Sequence, residues 1–107
     1  MSPEPDDELT DALPDDAITV IDNPLANRYE LHVGRELAAF TNYRLAPDRI
    51  VFTHTETLDA FKGIGVATHL ARAVLDAARA RGLRVVARCP FVANYIDEHP
   101  EYQDLVA

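Results

Sequence analysis

From Ala17 onward the apolar residues recur first at every second position and later at every third and fourth, and that change of period separates strands from helix. Ala17 to Asp22 is short, β-branched and stopped by Asn23-Pro24, which predicts a first strand ending in a turn. Tyr29, Leu31 and Val33 alternate with Glu30 and His32 in a second strand that ends at Gly34, and a third runs from about Glu36 to Leu45 before the turn Ala46-Pro47-Asp48. The fourth covers Arg49 to Thr57, where strict alternation sets Ile50, Phe52, His54 and Glu56 on one face and Val51, Thr53, Thr55 and Thr57 on the other. Four strands joined by short turns imply an antiparallel meander.

Val66, Leu70, Ala73, Val74 and Ala77 then form an apolar stripe that predicts a helix from about Ile64 to Arg81. Arg79 and Arg81 suit its last turn, and Gly82 suits a left-handed cap. Leu83 to Cys89 alternates again as a fifth strand closed by Pro90. Phe91 to Glu98 forms a short helix before His99-Pro100, and the tail Glu101 to Val106 is left to cover an edge. The expected fold is α+β, a mostly antiparallel sheet in the order β-β-β-β-α-β-α.

Composition changes this picture mainly at the N-terminus. Residues 1–16 hold seven acids and no Lys or Arg, whereas the remaining 91 residues hold 11 acids and 10 bases, so nearly all of the formal charge of -8 lies in the first 16 positions. That Pro-containing segment repels itself and buries little, so a disordered leader is expected there, followed by one domain over 17–107. The near-neutral domain lacks the basic surface that duplex nucleic acid demands, and no partner of that kind is expected. No run approaches the roughly 20 apolar residues of a membrane span, and the acidic start is unlike a signal peptide, so a cytoplasmic protein without a membrane partner is expected. The single cysteine, Cys89, cannot form an internal disulfide, and the histidines show no metal-ligand spacing, so no metal is expected. Arg72, Arg79, Arg81, Arg84 and Arg88 concentrate half the bases in 17 positions, either as a solvated helix face or as contacts for the phosphates of a nucleotide-bearing cofactor.

Between the fourth strand and the long helix lies Phe61-Lys62-Gly63-Ile64-Gly65-Val66-Ala67. A helix start leaves about four N–H groups without intrahelical partners and carries partial positive charge, which suits a pyrophosphate. Glycines there let the main chain approach phosphate oxygens and adopt dihedrals closed to other residues. Two glycines in a tight connection would look the same. A dinucleotide fingerprint would need a third glycine where Thr68 stands, and a Walker loop would need its lysine after the glycines rather than at Lys62.

His54-Thr55-Glu56, the Phe61–Ala67 segment, Ala78-Arg79-Ala80-Arg81-Gly82-Leu83, and Cys89-Pro90-Phe91-Val92 with Tyr95 and His99-Pro100-Glu101-Tyr102 together resemble the GNAT superfamily of N-acetyltransferases, in its branch of very short stand-alone members. The resemblance runs from about Ile18 to Val106. It implies that the turn binds acetyl-CoA as co-substrate, with Thr55, Lys62, Gly63, Ile64, Gly65, Val66, Ala67 and Asn94 as cofactor-binding positions and Arg88 as a further contact. The family pattern [Q/R]-x-x-G-x-[G/A] is met at Gly63 and Gly65, while Ala60 replaces the Gln/Arg and Ile64 stands where many relatives carry a base. Backbone binding survives those departures.

Acetyl transfer to an amine needs a neutral amine, a polarised thioester carbonyl and a proton for the departing thiolate. His54 and Glu56, about 7 Å apart by the strand rise, are candidate bases, or a sheet-surface pair bonded to neighbours. The resemblance adds Cys89, as an acyl-accepting nucleophile or as a pocket-lining residue, and Tyr95 as the acid that protonates the thiolate. Cys89 as a small buried hydrophobe and Tyr95 as a core aromatic are the structural alternatives. Three functions follow: an acetyl-CoA-dependent N-acetyltransferase acting on a small-molecule, peptide or protein amine, a non-catalytic acyl-CoA-binding module, or an interaction domain without cofactor. A monomer or a weak dimer paired through an edge strand is expected.

Overall fold

The computed structural model describes residues 17–107; the acidic segment expected to be a disordered leader lies outside the described residues. One sheet holds five strands in sequence order: β1 (Ile18–Asn23), β2 (Arg28–Val33), β3 (Glu36–Leu45), β4 (Arg49–Thr57) and β5 (Arg84–Ala87). β1 to β4 are antiparallel neighbours, and β5 is parallel to β4 because helix α1 (Val66–Ala80) carries the chain back across the sheet. Helix α2 (Pro90–Glu98) and a 3-10 segment, Pro100–Leu105, follow. The expected α+β order β-β-β-β-α-β-α therefore holds, with β3 and β4 at the predicted bounds.

Turn chemistry explains the short connections. Between β1 and β2 the Asn23 side chain accepts from the Ala26 amide at 3.3 Å, and Asn27 turns the chain with φ 54°. Between β3 and β4 the Ala46 amide donates to the Arg49 carbonyl at 2.9 Å.

The helices pack on the sheet face that carries Leu31, Thr41, Tyr43 and Phe52, all buried. α1 inserts Val66, Leu70, Ala71, Val74, Leu75 and Ala78 into that core. Ala73 and Ala77 of the expected stripe sit at its margin instead, because the buried face is centred on the Leu70–Val74–Ala78 line. Burying Leu70 alone contributes about 2 kcal/mol. The tail covers the outer edge of β5, as expected: Val106 bridges to Val85, and the Ala107 amide donates to the Val85 carbonyl at 2.9 Å. No described helix covers the opposite sheet face, and none is long and apolar enough to cross a membrane.

Strict alternation in β4 does not hold. Asn42 pairs with His54 but Tyr43 pairs with Phe52, so Thr53 is an extra residue in a β-bulge. Up to Phe52 the even-numbered side chains enter the core. Beyond Thr53 the odd-numbered ones do, and the Thr55 hydroxyl lies 3.1 Å from that of buried Thr41. His54 and Glu56 therefore leave the face of Ile50 and Phe52 and project from the uncovered side. A second extra residue, Ala38, sits in β3 opposite the Leu31–His32 step.

Candidate active site

β4 and β5 pair only from Arg49↔Arg84 to Phe52↔Ala87. The amides of Arg88 and Cys89 both donate to the Phe52 carbonyl at 3.0 Å, after which Pro90, which has no N–H, opens α2 and the strands part. Residues 54–57 of β4 thus keep β3 as partner and have none on the β5 side. The chain leaves this cleft through a 3-10 turn, Asp59–Phe61, and reaches α1 by way of Gly63 and Gly65, both at φ 84°.

Those dihedrals belong to the left-handed region, which a side chain disfavours. Gly65 is the N-cap of α1 and has no side chain to satisfy the first amides, so the helix presents bare N–H groups and the positive end of its dipole. A depression of about 250 Å³ lies over them, walled by Phe61 and Phe91 and floored by Lys62, Gly63, Gly65, Val66, Ala67 and Thr68. The Lys62 ammonium stands 3.0 Å from the Asp59 carboxylate, exposed at the rim. A smaller depression of about 170 Å³ continues past Thr68 and Phe91 to Asn94, Tyr95, Glu98 and His99.

Five of the eight expected cofactor positions, Lys62, Gly63, Gly65, Val66 and Ala67, therefore line one depression. Asn94 lines the adjoining one. Ile64 packs toward the core, and Thr55 accepts a hydrogen bond from the Cys89 thiol at 3.2 Å beneath the sheet, so neither lines the first depression. Sequence reasoning missed Thr57, Phe61, Thr68 and Phe91. Nothing in the sequence marked Phe91, because its 38% exposure is a property of the fold and not of the residue pattern.

The sheet separates the four expected catalytic residues. Cys89 and Tyr95 are buried on the helix side, 2% and 6% exposed, with the Tyr95 ring stacked on His99 at 3.8 Å. His54 and Glu56 stand on the uncovered side, more than half exposed, with His54 Nε2 3.2 Å from Glu56 Oε1. There the His54 ring lies 6.3 Å from that of Phe40, whose face carries the Arg28 guanidinium at 4.4 Å. Arg28 donates to Glu30, which also takes hydrogen bonds from Asn23 and His32. Hydrogen bonding from His32, Asn23 and Arg28 holds the Glu30 carboxyl down at about 2.

The arginine cluster has a structural explanation for most of its members. Arg79 grips Asp104 with two hydrogen bonds of 2.9 Å, Arg81 donates to the Tyr29 hydroxyl at 3.0 Å, and Arg84 donates to the Val106 carbonyl at 2.6 Å. These sit about 20 Å from the glycine turn by the rise of a 15-residue helix, so they cannot reach phosphates bound there. Arg88 lies at the strand fork on the uncovered face, in a depression with Arg44, Val51 and Thr53 rather than beside the glycine turn. Among the described residues no cluster of three or more His, Cys, Asp or Glu could hold a metal.

Comparison with known proteins agrees with the fold described above. Protein NATD1 of Gallus gallus and that of Mus musculus are each 39% identical to this chain over 59 residues, which is 54% of this chain and 54% of theirs. The chain thus spans about half the length of the curated relatives it matches. The solution structure of a GCN5-like protein from Staphylococcus aureus superposes with a TM-score of 0.64 at 25% identity, covering 85% of this chain and 89% of that one. The GCN5-related N-acetyl-transferase family matches residues 28–105, almost the whole described fold, and the chain belongs to that family.

Proposed function

We propose that the protein is an acetyl-CoA-dependent N-acetyltransferase that moves an acetyl group to an amine of a small molecule, peptide or protein. The observation that carries this reading is the depression over the bare amides of α1, placed where β4 and β5 part. The amides of Gly65, Val66 and Ala67 suit the pyrophosphate, with Lys62 at the rim. The open edge of β4 beyond Phe52 offers main-chain partners to the amide-bearing arm of the carrier, between Phe61 and Phe91. Asn94 is a further contact, Thr55 and Ile64 support the cleft from beneath, and a compartment in the cytoplasm suits such a co-substrate.

His54, oriented by Glu56, takes a proton from the acceptor ammonium. The neutral amine then forms its C–N bond as the thioester C–S bond breaks, its nitrogen releases the surplus proton to water, and the thiolate collects a proton. Tyr95, near the second depression, is the proposed donor of that proton. Cys89, buried with its thiol bonded to Thr55, acts as a wall of the cleft rather than a nucleophile.

Titration calorimetry with acetyl-CoA and a CoA-release assay over an amine panel test this together. Binding with turnover is expected, and His54→Ala should lower turnover about a hundredfold while leaving acetyl-CoA affinity within twofold. Absence of both binding heat and thermal stabilisation would sink the proposal. A second reading, an acyl-CoA-binding module, draws on the separation of His54 and Glu56 from Cys89 and Tyr95 by the sheet. Binding without turnover across the panel would select it.

A further inference from the structure

The uncovered face of the sheet holds a polar basin beside the strand fork. One part, about 590 Å³, is lined by residues including Asn27, Asn42, Arg44 and Thr53; the adjoining part, about 410 Å³, is lined by Arg44, Val51, Thr53 and Arg88. Arg44 and Thr53 are common to both, so the two form one trough across β3, β4 and the end of β5. Neither part has an acidic residue in its lining. Arg44 and Arg88 make no ion pair with any described carboxylate, whereas Arg28, Arg49, Arg79 and Arg81 each have one.

The fold puts these groups where they are. Arg44 pairs with Val51 across the strands, and Thr53 is the extra residue of the bulge. Arg88 follows the last β4–β5 pair and is anchored by its amide on Phe52. His54 is the next residue along β4 and projects from the same face. Among the described residues the acids near it on that face are already engaged, Glu56 by His54 and Glu30 by Asn23, Arg28 and His32. Two arginines lining one depression that has no carboxylate in its lining suit an oxyanion, since each guanidinium offers a planar fork of donors and a permanent charge.

Resting on the transferase reading above, we infer that this trough receives the acceptor and that Arg44 and Arg88 bind a carboxylate or phosphate carried by the same molecule as the amine. The substrate class is then a small amine bearing an oxyanion, its nitrogen directed toward His54 and its anionic end toward the two arginines.

The test compares kcat/KM of the full chain with n-butylamine, 4-aminobutyrate and 3-aminopropyl phosphate, at saturating acetyl-CoA. At least one anionic amine should exceed butylamine by about tenfold or more, as expected for charge-assisted hydrogen bonds. The arm that shows the advantage tells carboxylate from phosphate. Arg44→Gln and Arg88→Gln should each bring the anionic-to-neutral ratio close to one, Arg88→Lys should restore part of it, and Arg35→Gln, in the β2–β3 turn at the far end of those strands, should leave the ratio as in wild type. A ratio near one in the wild type, or a ratio that survives both Arg→Gln changes, would overturn the inference. A readout independent of turnover is the amide NMR spectrum titrated with the same anionic amines. Saturable shifts at Thr53 and Arg88, lost in both Arg→Gln variants, support the trough even if no amine is acetylated, in which case only the transferase reading falls. Turnover without such shifts overturns the trough alone, and loss of both readouts overturns the two together.

Discussion

Gly63 and Gly82 have positive φ, 84° and 70°, and at neither would an added Cβ meet an atom within 4 Å. Alanine at either position is therefore strained by its backbone and not by a clash, at a cost of about 1–2 kcal/mol. Their surroundings differ. Gly82 closes α1, with the Leu83 amide donating to the Ala78 carbonyl at 2.9 Å, while Gly63 lines the depression at the other end of the helix. Thermal denaturation should show similar losses for Gly63→Ala and Gly82→Ala, but calorimetry should show acetyl-CoA affinity falling about tenfold only for Gly63→Ala, through distorted amide geometry. Equal affinities in the two variants would contradict the assigned site. Both glycines were legible in the sequence, because a residue lacking Cβ marks its own dihedral. Thr57, Thr68 and Phe91 were not, because the end of β4, the first turn of α1 and the start of α2 meet only in the folded chain.

The C-terminal segment works as a brace for α1. Tyr102 donates to Asp76 of α1 at 2.7 Å, its ring lies 5.9 Å from that of Tyr95, and neighbouring Asp104 holds Arg79. Burial, together with the bond to Asp76, pushes the Tyr102 hydroxyl well above the usual tyrosine range. Tyr102→Phe removes one hydrogen bond and should cost about 1 kcal/mol. Tyr102→Ala also empties the ring's place and should cost about 3–5 kcal/mol, measured by urea denaturation. A small difference between the two would show that the ring contributes little. At this scale the sequence was a good guide to β3, β4 and the helix limits, but the fifth strand, expected from Leu83 to Cys89, spans only Arg84–Ala87, because the Arg88 and Cys89 amides share the Phe52 carbonyl and Cys89 caps α2. It failed at Thr53, because a bulge is a property of two strands and the alternation of one cannot reveal it.

At the scale of the molecule the described residues clothe the sheet on one side, and the side they leave bare carries a charge cluster centred on Glu30, which is 7% exposed. Its carboxyl is held at about 2, below the ordinary value of 4.5, so its contribution to folding is complete above about pH 4.5 and is lost as pH falls toward 2. Solvent reaches the cluster, so the contribution is about 1–2 kcal/mol. Unfolding free energy should therefore drop by that amount between pH 5 and pH 2.5 in the wild type beyond the drop in Glu30→Gln, which should itself be less stable at neutral pH. Parallel pH profiles would refute this. The two-sided character of the sheet, and with it the distance between Cys89 and His54, was hidden in the sequence for the same reason as the bulge. That single supernumerary residue also makes strand length a matter of parity. Deleting Thr53 would rotate every later position of β4 by half a turn, sending His54 and Glu56 inward against Thr41 and turning Thr55 and Thr57 to water, so the segment between the fork and the glycine turn can accept exchanges of residue far more readily than a change in their number.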